Sequence, residues 1–148
     1  MNEQVATTGQ IVVSISIGDK YTEQELPFVD HETGETKMLK IGNFLSDLLN
    51  MAILRDGQAI NILFPKLLKY SFTPRDRIYV RNQTVILDFF HRIKDEKLAD
   101  IRAGKEVGCD LFSIMLDEGG DVYGMIDDKV EADKTMFDDL MLIYLAAV

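Results

Sequence analysis

The sequence predicts an all-α domain of about five helices with little or no sheet. Two observations carry this expectation. Apolar residues recur at helical spacing through most of the chain, and helix-capping residues stand where those stretches begin and end. The 148 residues, 47% hydrophobic and 28% charged, suit a single region, 1–148, with a buried core. That balance excludes a disordered, collagen-like or disulfide-stapled chain.

The first element is ambiguous. Ile11, Val12, Val13, Ile15 and Ile17 alternate with serines and are β-branched, which favours a strand. A strand with no evident partner is unstable alone, so a helix over residues 5–17, stopped by Gly18, is the other reading. Residues 19–37, with Pro27, Gly34 and many Glu, read as a polar loop. Residues 38–54 set Ile41, Phe44, Leu45, Leu48, Leu49 and Ala52 on one helical face, with Gly57 as the stop. Residues 59–70 form a shorter apolar piece that Pro65 must kink or end.

Residues 74–103 form the longest predicted helix, roughly 45 Å at 1.5 Å per residue. Thr73 caps it, Pro74 suits its first turn and Asp76 its positive end. Ile78, Ile86, Phe89, Phe90, Ile93 and Ile101 mark its apolar stripe. Arg81, Lys94, Lys97 and Arg102 belong to its wet side, and Gly104 ends it. Asp110 caps a short apolar helix over residues 111–116. The last helix begins between residues 131 and 135, amphipathic through Met136, Phe137, Leu140 and Met141. From Leu140 it is apolar all round, so it is expected to be buried on every side.

The net charge of −9 is unevenly placed. Residues 1–105 carry 14 acids and 14 bases, whereas residues 106–139 carry 11 acids and 2 bases. This argues against a nucleic-acid binder that neutralises phosphates. The start, Met1-Asn2-Glu3-Gln4, lacks a secretory pattern. The longest apolar run, Leu140 to Val148, is nine residues, against the roughly 20 that a membrane-spanning helix needs. The expectation is a soluble or peripheral protein. A single cysteine allows no internal disulfide and fits a reducing, intracellular compartment.

No motif here assembles a catalytic or metal site by spacing. A calcium loop from Asp117 to Asp128 would place Gly119 at its second ligand, Val122 at its sharp turn, and Asp rather than Glu at its end. His31 and His91 have no ligand partners at metal spacing; His91, between Asp88 and Asp95, reads as a surface ion-pair member. No nucleophile elbow occurs. Asn82-Gln83-Thr84 matches a glycosylation sequon but lies in mid-helix. The glycines at 104, 108, 119, 120 and 124 make no phosphate loop. Cys109, beside Asp110, reads as an inert thiol.

One pattern spans the second half. A long charged helix ends at Ala103-Gly104-Lys105-Glu106, and the run Asp110-Leu111-Phe112-Ser113-Ile114-Met115-Leu116-Asp117-Glu118 follows. After Ile126-Asp127-Asp128 comes Phe137-Asp138-Asp139-Leu140-Met141-Leu142-Ile143-Tyr144-Leu145-Ala146-Ala147-Val148. This resembles the middle of a cytochrome P-450, a heme-thiolate monooxygenase, in which a "DLLSxLLE" helix precedes a "DDxxxFxLAG" run. Thr7-Thr8-Gly9-Gln10 through Ile17-Gly18 is similar to an earlier helix of that family.

The resemblance implies a helical fragment of a cytochrome P-450-like fold, ending at the start of the long central helix. It implies that residues 5–17 are helical, that Ala146 and Ala147 are heme-proximal, and that Phe44, Leu48, Phe64, Leu67 and Phe72 line the lid or substrate channel. For the full-length relative it implies heme, a reductase as redox partner and a small apolar substrate. It further implies an endoplasmic reticulum membrane surface met through residues 58–72, where Lys66 and Lys69 could reach headgroups.

The remaining catalytic equipment is absent. No Glu-x-x-Arg occurs; the nearest is Glu131-x-x-Lys134. Laid on Cys109, the heme-cysteine motif demands Phe, Gly, Arg and Gly where the chain has Arg102, Lys105, Val107 and Leu111. Without an axial thiolate, neither heme binding in the family's manner nor activity is expected of this chain alone. The alternative expectation is a cytoplasmic, non-enzymatic helical interaction module or homodimer that docks through the apolar C-terminal helix.

Overall fold

The computed structural model describes residues 3–57, 70, 73–105, 108–117, 131, 135–140 and 142. These are mostly helical, with one small antiparallel sheet of two strands. In chain order they form α1 (Glu3–Ile17), α2 (Asp19–Thr22), β1 (Glu25–Val29), β2 (Thr36–Lys40), α3 (Ile41–Asp56), α4 (Pro74–Arg102) and α5 (Leu111–Asp117). Residues 135–140 are again helical. No described helix is long and apolar enough to cross a membrane.

The ambiguous first element is a helix. Val12, Val13 and Ile17 are buried and α1 packs on α3, while Ile11 and Ile15 are exposed. A helix satisfies its own backbone groups, and this outweighs the β preference of its residues. Gly18 ends it at φ +99°, a conformation that strains any residue with a Cβ, and its N–H donates to the Ser14 carbonyl at 2.9 Å.

The segment expected to be a loop, residues 19–37, instead holds α2, β1 and the start of β2. In the hairpin Phe28 pairs with Lys37 and Glu25 with Lys40, while Leu26 and Phe28 point into the core. The turn is built on Asp30. Its Oδ1 accepts from the Glu32 N–H at 2.9 Å and the Thr33 N–H at 3.3 Å, and Gly34 takes φ +74°. Pro27 is tolerated because a two-stranded ribbon leaves room for a missing donor.

Helix α3 starts at Ile41, because residues 38–40 belong to β2. It buries Ile41, Phe44, Leu45, Leu48 and Met51. The Phe44 ring meets Phe28 edge-on at 5.1 Å. Helix α4 opens with a capping box: Asp76 N–H donates to Thr73 Oγ1, and Thr73 N–H donates to Asp76 Oδ2, both at 3.1 Å. It closes in a Schellman arrangement, with Gly104 at φ +68° and the Lys105 N–H bonded to the Asp100 carbonyl at 3.1 Å. Between these ends Ile86, Phe89, Phe90 and Ile93 are buried, as the stripe predicts.

Met136, Phe137 and Leu140 are buried, and Phe137 stacks on Phe90 of α4 at 5.7 Å. Leu142 departs from the expectation of burial on every side: it is 61% exposed. Two residues turn a helix by about 200°, so Leu142 faces away from the side that Leu140 buries. His91 is exposed, as expected of a surface residue, but differs in its partner among the described residues. Its ring meets Phe137 edge-on at 4.8 Å, an aromatic contact rather than the expected ion pair.

Candidate functional site

Of the residues expected to line a channel, Phe44 is core and Leu48 lines a hollow between α3 and α4. Phe64, Leu67 and Phe72 lie outside the described residues, as do Ala146 and Ala147. So does the segment 58–72 apart from Tyr70, which is half exposed. The calcium-loop positions beyond Asp117 also lie outside.

The hollow has a volume of about 170 Å³. Leu48 and Ala52 of α3 face Tyr79, Ile86 and Phe90 of α4, and Phe137 also lines it. Gln83 and Asp138 add polar groups. An apolar cavity of about 150 Å³ holds a benzene molecule, so this space suits one small ring or a short aliphatic chain. Burial pushes the Tyr79 hydroxyl above its usual pKa.

A larger cleft of about 500 Å³ lies where the ends of α1 and α4 meet the starts of α2 and α5. At its back Lys97 Nζ donates to Asp110 Oδ2 at 2.8 Å and to Ser113 Oγ at 2.7 Å. Lys97 was expected on the wet side of α4, but its side chain is only 12% exposed. The long stem lets the ammonium reach back to Asp110. Asp110 also caps α5 as expected, its Oδ1 accepting the Ser113 N–H at 2.9 Å. Burial pushes its carboxyl up. The Lys97 bond and two bonds from Ser113 outweigh this, so it lies below the usual carboxylate range.

Gly18 and Gly108 make room for this carboxylate. A Cβ at Gly108 would stand 2.7 Å from Asp110 Oδ2, and one at Gly18 3.3 Å from it. In the sequence Gly18 reads as a helix stop and Gly108 as part of a failed phosphate loop; no spacing signal shows that both border one carboxylate.

The chemistry open to this cleft is limited by its own bonds. Lys97 donates to the Ser113 hydroxyl instead of accepting from it, and Ser113 is 2% exposed, so the pair is not arranged as a nucleophile and base. Lys20 bonds Glu96, Lys105 bonds Asp100 at 2.6 Å, and Ser14 bonds Asp19. Tyr21 donates to Glu96 at 3.0 Å, and burial followed by that carboxylate raises its pKa. These charged groups answer one another.

Cys109, the sole thiol, is exposed and opens on this charged cleft rather than on the apolar hollow. A heme-thiolate ligand needs apolar walls for the porphyrin, and Lys97, Lys105, Asp100 and Asp110 line the cleft instead. The described residues around Cys109 do not fit heme. Among the described residues, no three of His, Cys, Asp and Glu gather as a metal site.

Set beside known proteins, the chain matches no family model, no curated protein and no solved structure.

Proposed function

We propose that this chain is the substrate-entrance portion of a heme-dependent monooxygenase of the cytochrome P-450 type, and that it contributes an apolar binding surface for a small apolar substrate. The observation that carries the reading is the hollow between α3 and α4, walled by Leu48, Ile86, Phe90 and Phe137. The order of elements supports it. A helix ending at Gly18 packs on α3, α3 packs on α4, and a short helix capped by Asp110 follows the stop at Gly104. The Phe137 segment then lies against α4 and α5, its ring 5.7 Å from Phe90 and 6.3 Å from Phe112.

On this reading the axial thiolate that oxygen chemistry needs comes from another part of the monooxygenase. The chain's own part is to take up an apolar molecule and exclude water around it. A reductase partner and contact with a membrane surface through residues 58–72 come with the reading.

The test is a titration with benzene, followed by NMR at the methyl groups of Leu48, Ile86 and Leu87. Saturable shifts at these methyls, with Val12 and Val13 unmoved, are expected. Hemin added to the same sample is expected to give no thiolate-type band after reduction and carbon monoxide. Methyls that do not respond to benzene contradict the reading of the hollow.

A further inference from the structure

The hollow shares a wall with the junction of its two helices. Arg55 stands in the last turn of α3 and Asp76 in the first turn of α4. Arg55 Nε donates to Asp76 Oδ1 at 3.1 Å, and the two side chains are only 15% and 10% exposed. The capping box holds the other carboxylate oxygen. Tyr79 lies three residues beyond Asp76, on the same face of α4. The Arg55 guanidinium carbon sits 4.9 Å from the centroid of its ring. That ring also lines the hollow.

We infer that Arg55 is a positioning residue for the hollow: by bonding Asp76 and covering the Tyr79 ring, it fixes the wall against which an apolar ligand packs. This rests on the reading of the hollow as a ligand site. The geometry asks for arginine in particular. A planar guanidinium donates along its edge while its face lies on an aromatic ring, whereas a lysine ammonium is a compact point charge that cannot present both surfaces. The side chain thereby ties the end of α3, the start of α4 and one wall of the hollow into a single unit.

The experiment titrates benzene into the full chain and into Arg55→Met, Arg55→Lys, Tyr79→Leu and the Arg55→Met/Tyr79→Leu double variant, with thermal unfolding measured in parallel. Arg55→Met is expected to weaken benzene binding about threefold or more, the size of coupling usual between touching residues. Arg55→Lys is expected to weaken it about twofold, because the charge stays and the stacking is lost. In the Tyr79→Leu background the effect of Arg55→Met is expected to vanish, since the ring that transmits it is gone. A merely structural arginine would lower the melting temperature and leave the affinity of the folded variants unchanged, and that result overturns the inference while the ligand site stands. Should Arg55→Met fail to fold, Arg55→Lys decides alone, and unchanged affinity overturns the inference. A wild-type chain that does not bind benzene overturns both the inference and the reading beneath it.

Discussion

The Asn82 carboxamide brackets the Val29 peptide: its Oδ1 accepts the Val29 N–H at 3.0 Å and its Nδ2 donates to the Val29 carbonyl at 2.9 Å. Asn82 is fully buried in the third turn of α4, and Val29 is the last residue of β1. One side chain thus supplies what a neighbouring strand would, and it pins the hairpin to the long helix. Asn82→Ala leaves a buried N–H and a buried carbonyl unpaired. It is expected to cost about 2–4 kcal/mol of stability in urea unfolding. A loss under about 0.5 kcal/mol would show that the bracket is incidental.

The Lys97–Asp110 pair makes the second prediction. Its side chains are 12% and 9% exposed, so removing one partner strands a charge in a poorly solvated place. Lys97→Met is expected to destabilise the chain by about 3 kcal/mol, and Asp110→Asn added to it should restore part of that loss. Gly108→Ala places a methyl against the same carboxylate and is expected to cost about 1–3 kcal/mol. Additive losses in the Lys97/Asp110 double variant, from the same unfolding measurement, would contradict the pairing.

Acid should weaken the fold in a defined window. The N–H of Glu32, the Lys37 ammonium and the N–H of Thr33 hold the Asp30 carboxyl at about 2. Asp76 and Asp110 are also held below the usual range, against the upward push of burial. A carboxyl depressed in the folded state contributes stability above its unfolded pKa, and the contribution disappears as pH falls through the folded value. Melting temperature is therefore expected to be level from about pH 7 to 5 and to drop between about pH 4 and 2. Asp30→Asn should flatten the lowest part of that drop. A curve that is unchanged down to pH 2 would contradict these assignments.

Phe137 anchors the C-terminal helical residues to the rest of the fold. It is 3% exposed and touches Phe90, Phe112 and His91. Phe137→Ala is expected to cost about 3–5 kcal/mol and to broaden the resonances of the Phe90 and Phe112 rings. Retained stability and sharp ring signals would show that those residues pack independently of α4 and α5.

Much of the helical frame was legible because local chemistry agreed with tertiary packing. Thr73 and Asp76 cap α4, Gly104 ends it, and Asp110 opens α5 as their positions in the sequence suggest. The hairpin was hidden because its few buried residues, Leu26, Phe28 and Val29, do not alternate cleanly and stand beside Pro27 in a largely polar stretch. Its signal was the pair Asp30 and Gly34, which together make the turn. The roles of Lys97 and Asn82 are hidden for a shared reason: nothing local to a helix shows the distant partner, Asp110 or the Val29 peptide, that its polar side chain reaches. Phe44 and Leu48 are both buried in the core; Phe44 packs against Phe28, and Leu48 also borders the hollow. The Arg55–Tyr79 contact left no trace in the spacing, because it joins two helices.

The most direct test of the central claim is a long single-molecule read of the native transcript through the Val148 codon. A monooxygenase of the cytochrome P-450 type predicts that the frame runs on into an acid-threonine pair, then Glu-x-x-Arg, then a cysteine within Phe-x-x-Gly-x-Arg-x-Cys-x-Gly. A stop codon directly after Val148 would contradict it.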